Sequence, residues 1–388
     1  MRFFADLHVH IGRTSRGEAV KVTASSELTF AKILEESAGR KGLDAVGIVD
    51  CASPGVLADI RALIEAGEMA PLEGGGLSYR KRLVVYPAAE IGIDVNGKEA
   101  HFLSYLPSLE AASEFSARLA PFVSNIALSS QKARMSLSGL CRLTAECGGF
   151  LIPAHVFTPH KGYYGHAASR LEEGFSAEDR RCLAAVELGL SADTEMASRL
   201  SDLDRIAFVS NSDAHSAAKI AREYNEIEAA DASFSSLKKA LTGEQGGIVA
   251  NYGLDPRLGK YHKTRCDVCD REIPLTPARS CPLCGSGRIT VGVADRLEEI
   301  ADRKEAAAAG RPPYVRQVPL EFVPGVGPRT LHTLIEDFGS EMNVLHRATR
   351  EELESAVGAK LAERIVLARS GRLKVRPGGG GVYGRIEA

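Results

Sequence analysis

Short apolar runs alternate with amphipathic stretches along roughly the first 250 of the 388 residues. The alternation of apolar positions indicates strands in seven runs, at residues 2–10, 44–50, 82–92, 100–106, 149–155, 184–189 and 206–213. Helical spacing between several of them indicates helices at residues 27–41, 131–147 and 234–241. This order predicts a parallel α/β sheet, and about seven units in this length favour a barrel over an open sheet.

The pattern changes after residue 256. We expect a barrel domain at 1–256, a small cysteine module at 257–292, a charged helical connector at 293–310, a helical domain at 311–374 and a tail at 375–388. The sequence GRPPY ends the connector, because paired prolines stop a helix and stiffen the chain. The tail is so rich in glycine that it predicts no regular structure.

Composition supports a globular protein without membrane segments. The hydrophobic fraction of 44% is sufficient for an ordinary core. No apolar run approaches the roughly 18 residues of a membrane span, and the N-terminus lacks the features of a signal peptide. We therefore expect a cytoplasmic protein with no membrane partner, whose eight cysteines are reduced thiols.

The formal net charge of −2 hides an uneven distribution. Residues 257–388 hold 22 Lys and Arg against 17 Asp and Glu, a balance of +5, and residues 1–256 have a balance of −7. This asymmetry suits a polyanionic partner for the C-terminal part and cation binding by the N-terminal part, although so modest an excess often reflects only a solvated surface.

The first strand ends in ADLHVH, which contains His8 and His10 two positions apart. Strand side chains alternate faces, so both imidazoles point the same way if residues 3–10 form a strand. The spacing suits a metal site, but it also occurs at ordinary buried or surface positions, and this stretch alone supports both interpretations about equally.

Ligand-type residues recur at the carboxyl ends of the later strands, where barrel active sites gather. They are Asp50 and Cys51, Glu90, His155, and Asp213 with His215, with Glu187 and His101 as further candidates. Such a mixture of imidazoles and carboxylates suits Zn²⁺, Mn²⁺ or Fe²⁺, and a bridging carboxylate can hold two ions for displacement at phosphorus. The joint pattern predicts a metal site.

The motifs DLHVH, AEIG around Glu90, then His101, PAH at 153–155 and SDAH at 212–215 resemble the polymerase and histidinol phosphatase (PHP) family of metal-dependent phosphoesterases. The resemblance implies a distorted seven-stranded barrel whose catalytic centre is built by His8, His10, Glu90 and Asp213. These four would surround one metal, and Glu90, His101 and His155 a second, with Glu90 bridging. His215 would belong to a third metal.

The chain departs from this family at Cys51, where the family has a histidine, and it has no histidine between His10 and His101. Cys51 could ligate the third metal as a soft thiolate or be a plain buried thiol. The sequence therefore predicts two or three divalent metals in the barrel, of unresolved identity among Zn, Mn, Mg and Fe.

Two CxxC pairs, Cys266 with Cys269 and Cys281 with Cys284, have the spacing of a zinc ribbon. Four thiolates around one ion form a closed tetrahedral site, so this zinc is expected to be structural. Basic residues surround the module, which makes phosphate contact plausible.

The segment FVPGVGPRTLHTLIEDFG at 322–339 has a Gly-rich turn that leads into an amphipathic helix, and EELESAVGAKLAERIVLAR at 351–369 repeats the pattern in degenerate form. It resembles the tandem helix-hairpin-helix module. The resemblance implies that DNA phosphates are held through Gly325, Val326, Gly327 and Arg329, and by Gly358 and Lys360 in the second copy. A helical protein-docking domain is the alternative.

Taken together, barrel, four-cysteine ribbon and helical hairpins resemble the endonuclease Q family of DNA repair nucleases. The resemblance implies hydrolysis of the phosphodiester bond 5′ to uracil, hypoxanthine, xanthine or an abasic site in double-stranded DNA, by multi-metal activation of water with the lesion base flipped out. Phe157, Tyr163 and Tyr164 follow His155 and are candidates for a stacking pocket, or for ordinary packing.

Three alternatives remain: a phosphatase of small phosphate esters, like histidinol phosphatase, a non-specific DNA nuclease, and a non-catalytic DNA-binding protein. A nucleoid location follows from the DNA-repair hypothesis. A sliding clamp is a further candidate partner, although the chain has no short motif that we assign to it.

Overall fold

The computed structural model describes residues 1–306, 310–376 and 384–386. The strands are β1 (Arg2–Val9), β2 (Ala45–Ile48), β3 (Met69–Pro71), β4 (Leu77–Tyr79), β5 (Leu83–Val95), β6 (Lys98–Tyr105), β7 (Phe150–Pro153), β8 (Ala185–Glu187), β9 (Ala207–Val209), β10 (Tyr224–Glu228), β11 (Gly247–Gly253), β12 (Arg265–Cys266), β13 (Arg271–Glu272), β14 (Ile289–Thr290), β15 (Tyr314–Arg316), β16 (Val375–Arg376) and β17 (Arg385–Ile386).

The helices are α1 (Phe30–Glu36), α2 (Pro54–Glu65), α3 (Leu109–Leu119), α4 (Leu137–Glu146), α5 (Thr194–Ala197), α6 (Phe234–Thr242), α7 (Val293–Ile300), α8 (Pro328–Phe338), α9 (Glu341–His346), α10 (Arg350–Val357) and α11 (Ala359–Arg369). Short helical turns extend or join several of them, among them residues 37–41 directly after α1.

Seven strands, β1, β2, β5, β6, β7, β8 and β9, form the predicted distorted barrel. β1, β2 and β5 are parallel neighbours, β6 pairs with β5 and β7, and β8 pairs with β9. Two single bridges complete the circle of strands. Leu151 of β7 pairs with Leu183, just before β8, and Val9 of β1 pairs with Ala214, shortly after β9. All seven predicted strands are therefore confirmed, although most are shorter than the sequence suggests.

Strand β6 is the exception to the predicted parallel order, since it runs antiparallel to both neighbours. The reason is the two-residue turn Asn96-Gly97, whose φ angles are +54° and +77°. Two consecutive positive φ values are typical of the hairpin turn that Asn-Gly favours. The reversal brings the beginning of β6 to the edge of the barrel where the other strands end.

Strands that the apolar pattern did not identify extend the sheet on both sides. β1 pairs with β10, β10 with β11, and β11 with β15. On the other side the hairpin of β3 and β4 adds to β5. Because β10 occupies one edge of β1, the barrel closes on β1 only near its carboxyl end, through the bridge to Ala214.

Aromatic side chains fill the interior opposite the strand ends. Tyr105 of β6 stacks on Phe150 of β7, and Phe150 stacks on Phe234 at the start of α6, with ring centroids 5.1 Å apart in both pairs. All three are buried and share one apolar cluster with Leu7 of β1. This packing leaves the carboxyl ends of the strands as the place where polar side chains collect.

The C-terminal part is attached to the barrel rather than free of it. β15 continues the barrel's main sheet, and Glu341 of α9 binds Lys41 and Arg40 with oxygen–nitrogen distances of 3.1 and 2.9 Å. The predicted connector helix is shorter than expected, because α7 ends at Ile300. Residues 307–309 of the connector lie outside the described residues.

The tail predicted to lack regular structure has some in its described part. β16 and β17 pair antiparallel, and the amide of Gly384 donates to the carbonyl of Leu258. Residues 377–383 and 387–388 lie outside the described part of the chain. Each described helix is too short or too polar to cross a lipid bilayer.

Candidate metal centre

The predicted ligand-type side chains meet around one cavity of about 830 Å³ at the carboxyl ends of the barrel strands. The cavity is lined in part by Glu90, His101, His155, Asp213 and His215. His8 and His10, at the end of β1, are fully buried and contact Glu90 and Asp213. The register of β1 against β2 shifts between Asp6 and Val9, at His8, and such bulges are frequent beside active sites.

The first group of candidate ligands is His8, His10 and Asp213. The Nε2 atoms of the two histidines are 3.2 Å apart, and Asp213 Oδ1 lies 3.6 Å from that of His8 and 3.4 Å from that of His10. These three ligand atoms converge on one point, and the two imidazole nitrogens are within hydrogen-bond distance of each other. One metal ion fits such a set.

The second group is Glu90, His101 and His155. Glu90 Oε1 is 2.8 Å from His101 Nδ1 and 3.4 Å from His155 Nε2. The same carboxylate reaches the first group, with Oε1 3.7 Å from His8 Nε2 and Oε2 3.5 Å from His10 Nε2. Glu90 therefore lies between the two groups, as a bridging ligand would.

The electrostatics of the two groups favours bound cations. Burial would raise the pKa of Asp213 and of Glu90, but the neighbouring histidines, with Lys21 beside Glu90, hold both values well below the usual range. Burial alone would lower the pKa of His8, but the carboxylates of Glu187, Asp213 and Glu90 raise it to about 10. A metal that binds His8 must displace this proton, so binding is coupled to proton release.

Carboxylates behind the histidines orient them. Glu187 Oε2 accepts from His8 Nδ1 at 2.9 Å, and Asp50 Oδ1 accepts from His10 Nδ1 at the same distance. With Nδ1 occupied in this way, the Nε2 atom of each ring is free to face the cavity. Such second-layer carboxylates are a regular feature of histidine metal sites, and they assign Asp50 and Glu187 to orientation rather than direct ligation.

Backbone strain is concentrated around the cavity. Ser130, His155, Lys161 and Asp213 all have positive φ angles, between +32° and +60°. Non-glycine residues rarely adopt this conformation, and they persist mainly at functional sites, where the surrounding structure holds them. Gly189 also has a positive φ, and a side chain there would lie 3.0 Å from His155 Cβ.

Lys21, Ser129 and Ser130 belong to the site but were not predicted. Lys21 Nζ donates to Glu90 Oε2 at 2.8 Å, Ser130 Oγ contacts both of these groups, and Ser129 Oγ donates to Asp50. All three lie in loops without periodicity, so no sequence pattern identifies them.

Of the two interpretations of Cys51, the geometry favours the plain buried thiol, because Cys51 belongs to neither group of candidate ligands among the described residues. Its side chain is fully buried, its Sγ donates to the carbonyl of Ile48 at 3.3 Å, and burial raises the pKa of the thiol to about 12. His215 does line the cavity and lies 3.5 Å from Asp213 Oδ1, but among the described residues it completes no third group of ligands.

The stacking pocket expected from Phe157, Tyr163 and Tyr164 is likewise not found. All three are buried in the core and none lines the cavity. Tyr163 and Tyr164 belong to the helical turn at 163–167, in which both side chains are buried. Phe157 and Tyr164 stack on each other at 5.7 Å, and the Tyr163 hydroxyl donates to the carbonyl of Leu171. Within the described part of the chain, the cavity is lined by one tyrosine, Tyr261.

The cavity rim is basic. Besides Lys21, its lining includes Lys161, Lys219, Arg222 and Lys260. Lys260 lies over the Tyr261 ring, 4.8 Å from its centroid, and His160 meets the same ring edge-on at 5.3 Å. A cationic rim with an aromatic surface suits a phosphate-bearing ligand that has a planar group.

The four cysteines of the predicted ribbon lie together, with Sγ distances of 3.5 Å between Cys266 and Cys284 and 3.6 Å between Cys269 and Cys281. Sulfurs on a tetrahedron with bonds of about 2.3 Å are roughly 3.8 Å apart, so the cluster fits one zinc ion. The apolar core of this module is small, so a metal held by the four thiolates would supply most of its folding free energy.

The helical segment has the two expected Gly turns. Gly325 precedes α8 with a φ of +101°, and Gly358 joins α10 to α11 with a φ of +81°. Arg329 and Lys360 are exposed on the helices that follow these turns. The exposure of Gly327 and of both positive-φ glycines leaves the turns accessible, while their role in DNA binding stays a prediction.

No protein-family model matches the chain. The uncharacterized protein YqxK of Bacillus subtilis is 46% identical over 389 residues, and the alignment covers 100% of this chain and 99% of that protein. The uncharacterized protein MJ0043 of Methanocaldococcus jannaschii is 42% identical over 223 residues, which are 52% of this chain and 28% of that protein.

Two solved structures are similar along the full chain. The lesion-specific endonuclease PfuEndoQ from Pyrococcus furiosus has a TM-score of 0.84 and 31% identity, and covers 100% of this chain and 95% of its own. Endonuclease Q in complex with a 27-mer duplex that has an abasic lesion at the active site has the same TM-score and identity, with 100% and 96% covered. The similarity thus extends over the barrel, the cysteine module and the C-terminal helices.

Proposed function

The chain belongs to the endonuclease Q family, and from this premise we propose that it is a metal-dependent endonuclease that cuts DNA beside damaged nucleotides. The observation that carries the proposal is the pair of three-residue ligand groups, joined by Glu90, at a cavity with a basic rim. Two ions held a few ångströms apart by a shared carboxylate are typical of enzymes that hydrolyse phosphate esters.

In the proposed mechanism, His8, His10 and Asp213 would hold one cation, and Glu90, His101 and His155 would hold the other. Bound divalent ions supply a Lewis acid for the scissile phosphate and activate water for attack at phosphorus. Glu187 and Asp50 keep the imidazoles in the ligating tautomer. The basic rim neutralises the phosphates on either side of the cut.

For the substrate we propose double-stranded DNA that contains uracil, hypoxanthine, xanthine or an abasic site, cut on the 5′ side with the lesion turned out of the helix. The cavity volume of about 830 Å³ is large enough for a flipped nucleotide. Tyr261, with its ring held between Lys260 and His160, offers a stacking surface at the wall of this cavity.

We propose that the C-terminal helices hold the duplex through phosphate contacts of the turns at Gly325, Gly327 and Gly358, supported by Arg329 and Lys360. Backbone amides at a helix start favour anions, and both basic side chains are exposed beside such a start. The four-cysteine ribbon keeps its zinc as a structural ion in this scheme. A cytoplasmic location at the nucleoid follows from the proposed substrate, and association with a sliding clamp stays a hypothesis.

The test incubates the 388-residue chain with Mn²⁺ or Mg²⁺ and four end-labelled duplexes, one undamaged and three with a single uracil, inosine or abasic site. We expect nicks in the three lesion duplexes, each on the 5′ side of the lesion. Equal cutting of all four would indicate a non-specific nuclease, and hydrolysis of small phosphate esters without nicking would indicate a phosphatase. Either result contradicts the proposal.

The variant Asp213→Asn links this activity to the metal centre, because it removes one ligand charge and preserves the shape of the side chain. We expect it to abolish nicking while the affinity for a lesion duplex stays within about threefold of the wild-type value. Asp231→Asn is the matched control, since Asp231 is exposed and outside the cavity. Full activity of Asp213→Asn would remove Asp213 from the site.

A further inference from the structure

Lys21 lies deeper in the catalytic cavity than the other basic residues of its lining. Its side chain is 14% exposed, and Nζ donates to Glu90 Oε2 at 2.8 Å. Ser130 Oγ receives a second contact from the same ammonium.

The carboxylate oxygens on this side of the site already have partners. Glu90 Oε2 accepts from Lys21 and from Ser130, and Asp50 accepts from His10, Ser129 and the Ile11 amide. Of the histidines expected at a third ion, only His215 is present: residue 51 is a cysteine whose Sγ donates to the carbonyl of Ile48, and no histidine lies between His10 and His101. Within the ranges that the structure describes, the barrel forms two ligand groups.

We propose that Lys21 supplies the third positive charge of this site, so that the barrel binds two metal ions and the Lys21 ammonium contacts the scissile phosphate. The phosphate contact rests on the function proposed above, whereas the number of metal ions does not depend on it. An ammonium has three donors, of which Glu90 and Ser130 use two in the described part of the chain, and the Lys21 side chain lines the cavity. Lysine is a regular phosphate ligand in this role, as a compact point charge.

The arrangement also explains why Ser130 has a positive φ, of +55°. In that conformation its hydroxyl reaches both Glu90 and Lys21, which fixes the ammonium against the bridging carboxylate. A third divalent ion at this place would have to displace Lys21 and would lie next to its charge.

The first test counts metal and needs no nuclease activity. Protein loaded with Mn²⁺ or Zn²⁺ and then desalted is analysed by inductively coupled plasma mass spectrometry. We expect three ions per chain, two in the barrel and one in the ribbon, in the wild type and in Lys21→Met. Four ions in the wild type would overturn the proposal, even if the protein proves to have no nuclease activity.

The second test measures nicking of a lesion duplex by the same proteins. We expect Lys21→Met to lower kcat at least 100-fold with KM changed less than about threefold, and Lys21→Arg to recover part of kcat because it keeps the charge. Lys32→Met is the control, because Lys32 is exposed on α1 and this variant removes the same positive charge away from the site. Unchanged kcat in Lys21→Met would overturn the phosphate contact, whereas absence of nicking in the wild type would instead refute the proposed function.

Discussion

Replacing Glu187 by glutamine should weaken metal binding although residue 187 is not itself a predicted ligand. The Glu187 carboxylate is fully buried and accepts from three donors: His8 Nδ1 at 2.9 Å, Asn211 Nδ2 at 3.0 Å and the His155 amide at 3.2 Å. Glutamine has nearly the same shape, but its NH₂ group must face one of these donors. The variant Glu187→Gln therefore loses one hydrogen bond as well as the charge behind His8.

Changes in partners of this kind typically lower metal affinity 10- to 100-fold, or about 1.4–2.7 kcal/mol. A second effect has the opposite sign. Glu187 is the carboxylate that contributes most to the raised pKa of His8, about 10, so the variant lowers that pKa and protons compete less with the metal. The loss of apparent affinity should accordingly be larger at pH 8.5 than at pH 6.5.

The measurement is the Mn²⁺ concentration that gives half-maximal nicking, together with competition against a fluorescent metal indicator, at both pH values. We expect the ratio of variant to wild type to increase with pH. Glu172→Gln is the control, because Glu172 is exposed and distant from the cavity lining. Equal metal requirements for Glu187→Gln and wild type at pH 8.5 would refute the assignment of Glu187 to the orientation of His8.

Three further predictions concern stability, the DNA contact and the lesion. Burial raises the pKa of Glu223 from 4.5 to about 8, so folding takes up a proton in this range and the free energy of unfolding should decrease by up to about 1.4 kcal/mol per pH unit as pH rises. Urea unfolding between pH 5 and 9 should show a smaller decrease in the free energy of unfolding for Glu223→Gln than for the wild type. The same pH dependence in both proteins would contradict the assignment of this effect to Glu223. The double variant Arg329→Gln, Lys360→Gln should reduce the salt dependence of DNA binding, measured by fluorescence anisotropy, by about 1.8 in log–log slope; an unchanged slope would remove both residues from the interface. Tyr261→Ala should slow nicking at uracil by about 5- to 150-fold, from a stacking loss of about 1–3 kcal/mol, and should affect an abasic site much less because no base is present. Tyr261→Phe is its control, and equal losses on both lesions would exclude stacking.

The candidate ligands at the carboxyl ends of the strands could be predicted, because the position of each strand follows from local periodicity in the sequence. His8, Glu90, His155 and Asp213 each lie within or just after an apolar run, and parallel strands bring such ends to one edge whatever the details of packing. His101 belongs to the same site for a different reason, since β6 runs in the opposite direction. The Asn-Gly pair at 96–97 carries that information, and a hairpin could have been predicted from it.

Loops and burial limit what the sequence can predict about this site. Lys21 and Ser130 reach Glu90 through irregular backbone, and Tyr261 reaches the cavity from more than 100 residues after His155. Tyr164 shows the opposite case. It follows His155 closely in the sequence and was therefore predicted near the site, but its side chain is buried in the core. The sequence left two interpretations of Cys51 open, and only the structure shows that its Sγ contacts the carbonyl of Ile48 and that Cys51 is absent from the cavity lining.

The attachment of the C-terminal helices bears on how the proposed DNA contact and the metal centre act together. Lys41 and Glu341 form a buried ion pair, and removal of one partner of such a pair typically costs about 3–5 kcal/mol because the other charge is left unpaired. The hydroxyl of Tyr224 on β10 also lies 2.6 Å from Nε2 of His346 on α9, so two separate polar contacts join α9 to the barrel. Polar contacts of this kind tolerate few alternative arrangements, whereas an apolar interface can slide. If the turns at Gly325 and Gly358 bind the duplex as proposed, this attachment would fix their position relative to the metal centre, and a contact on undamaged backbone would then determine where the cut falls.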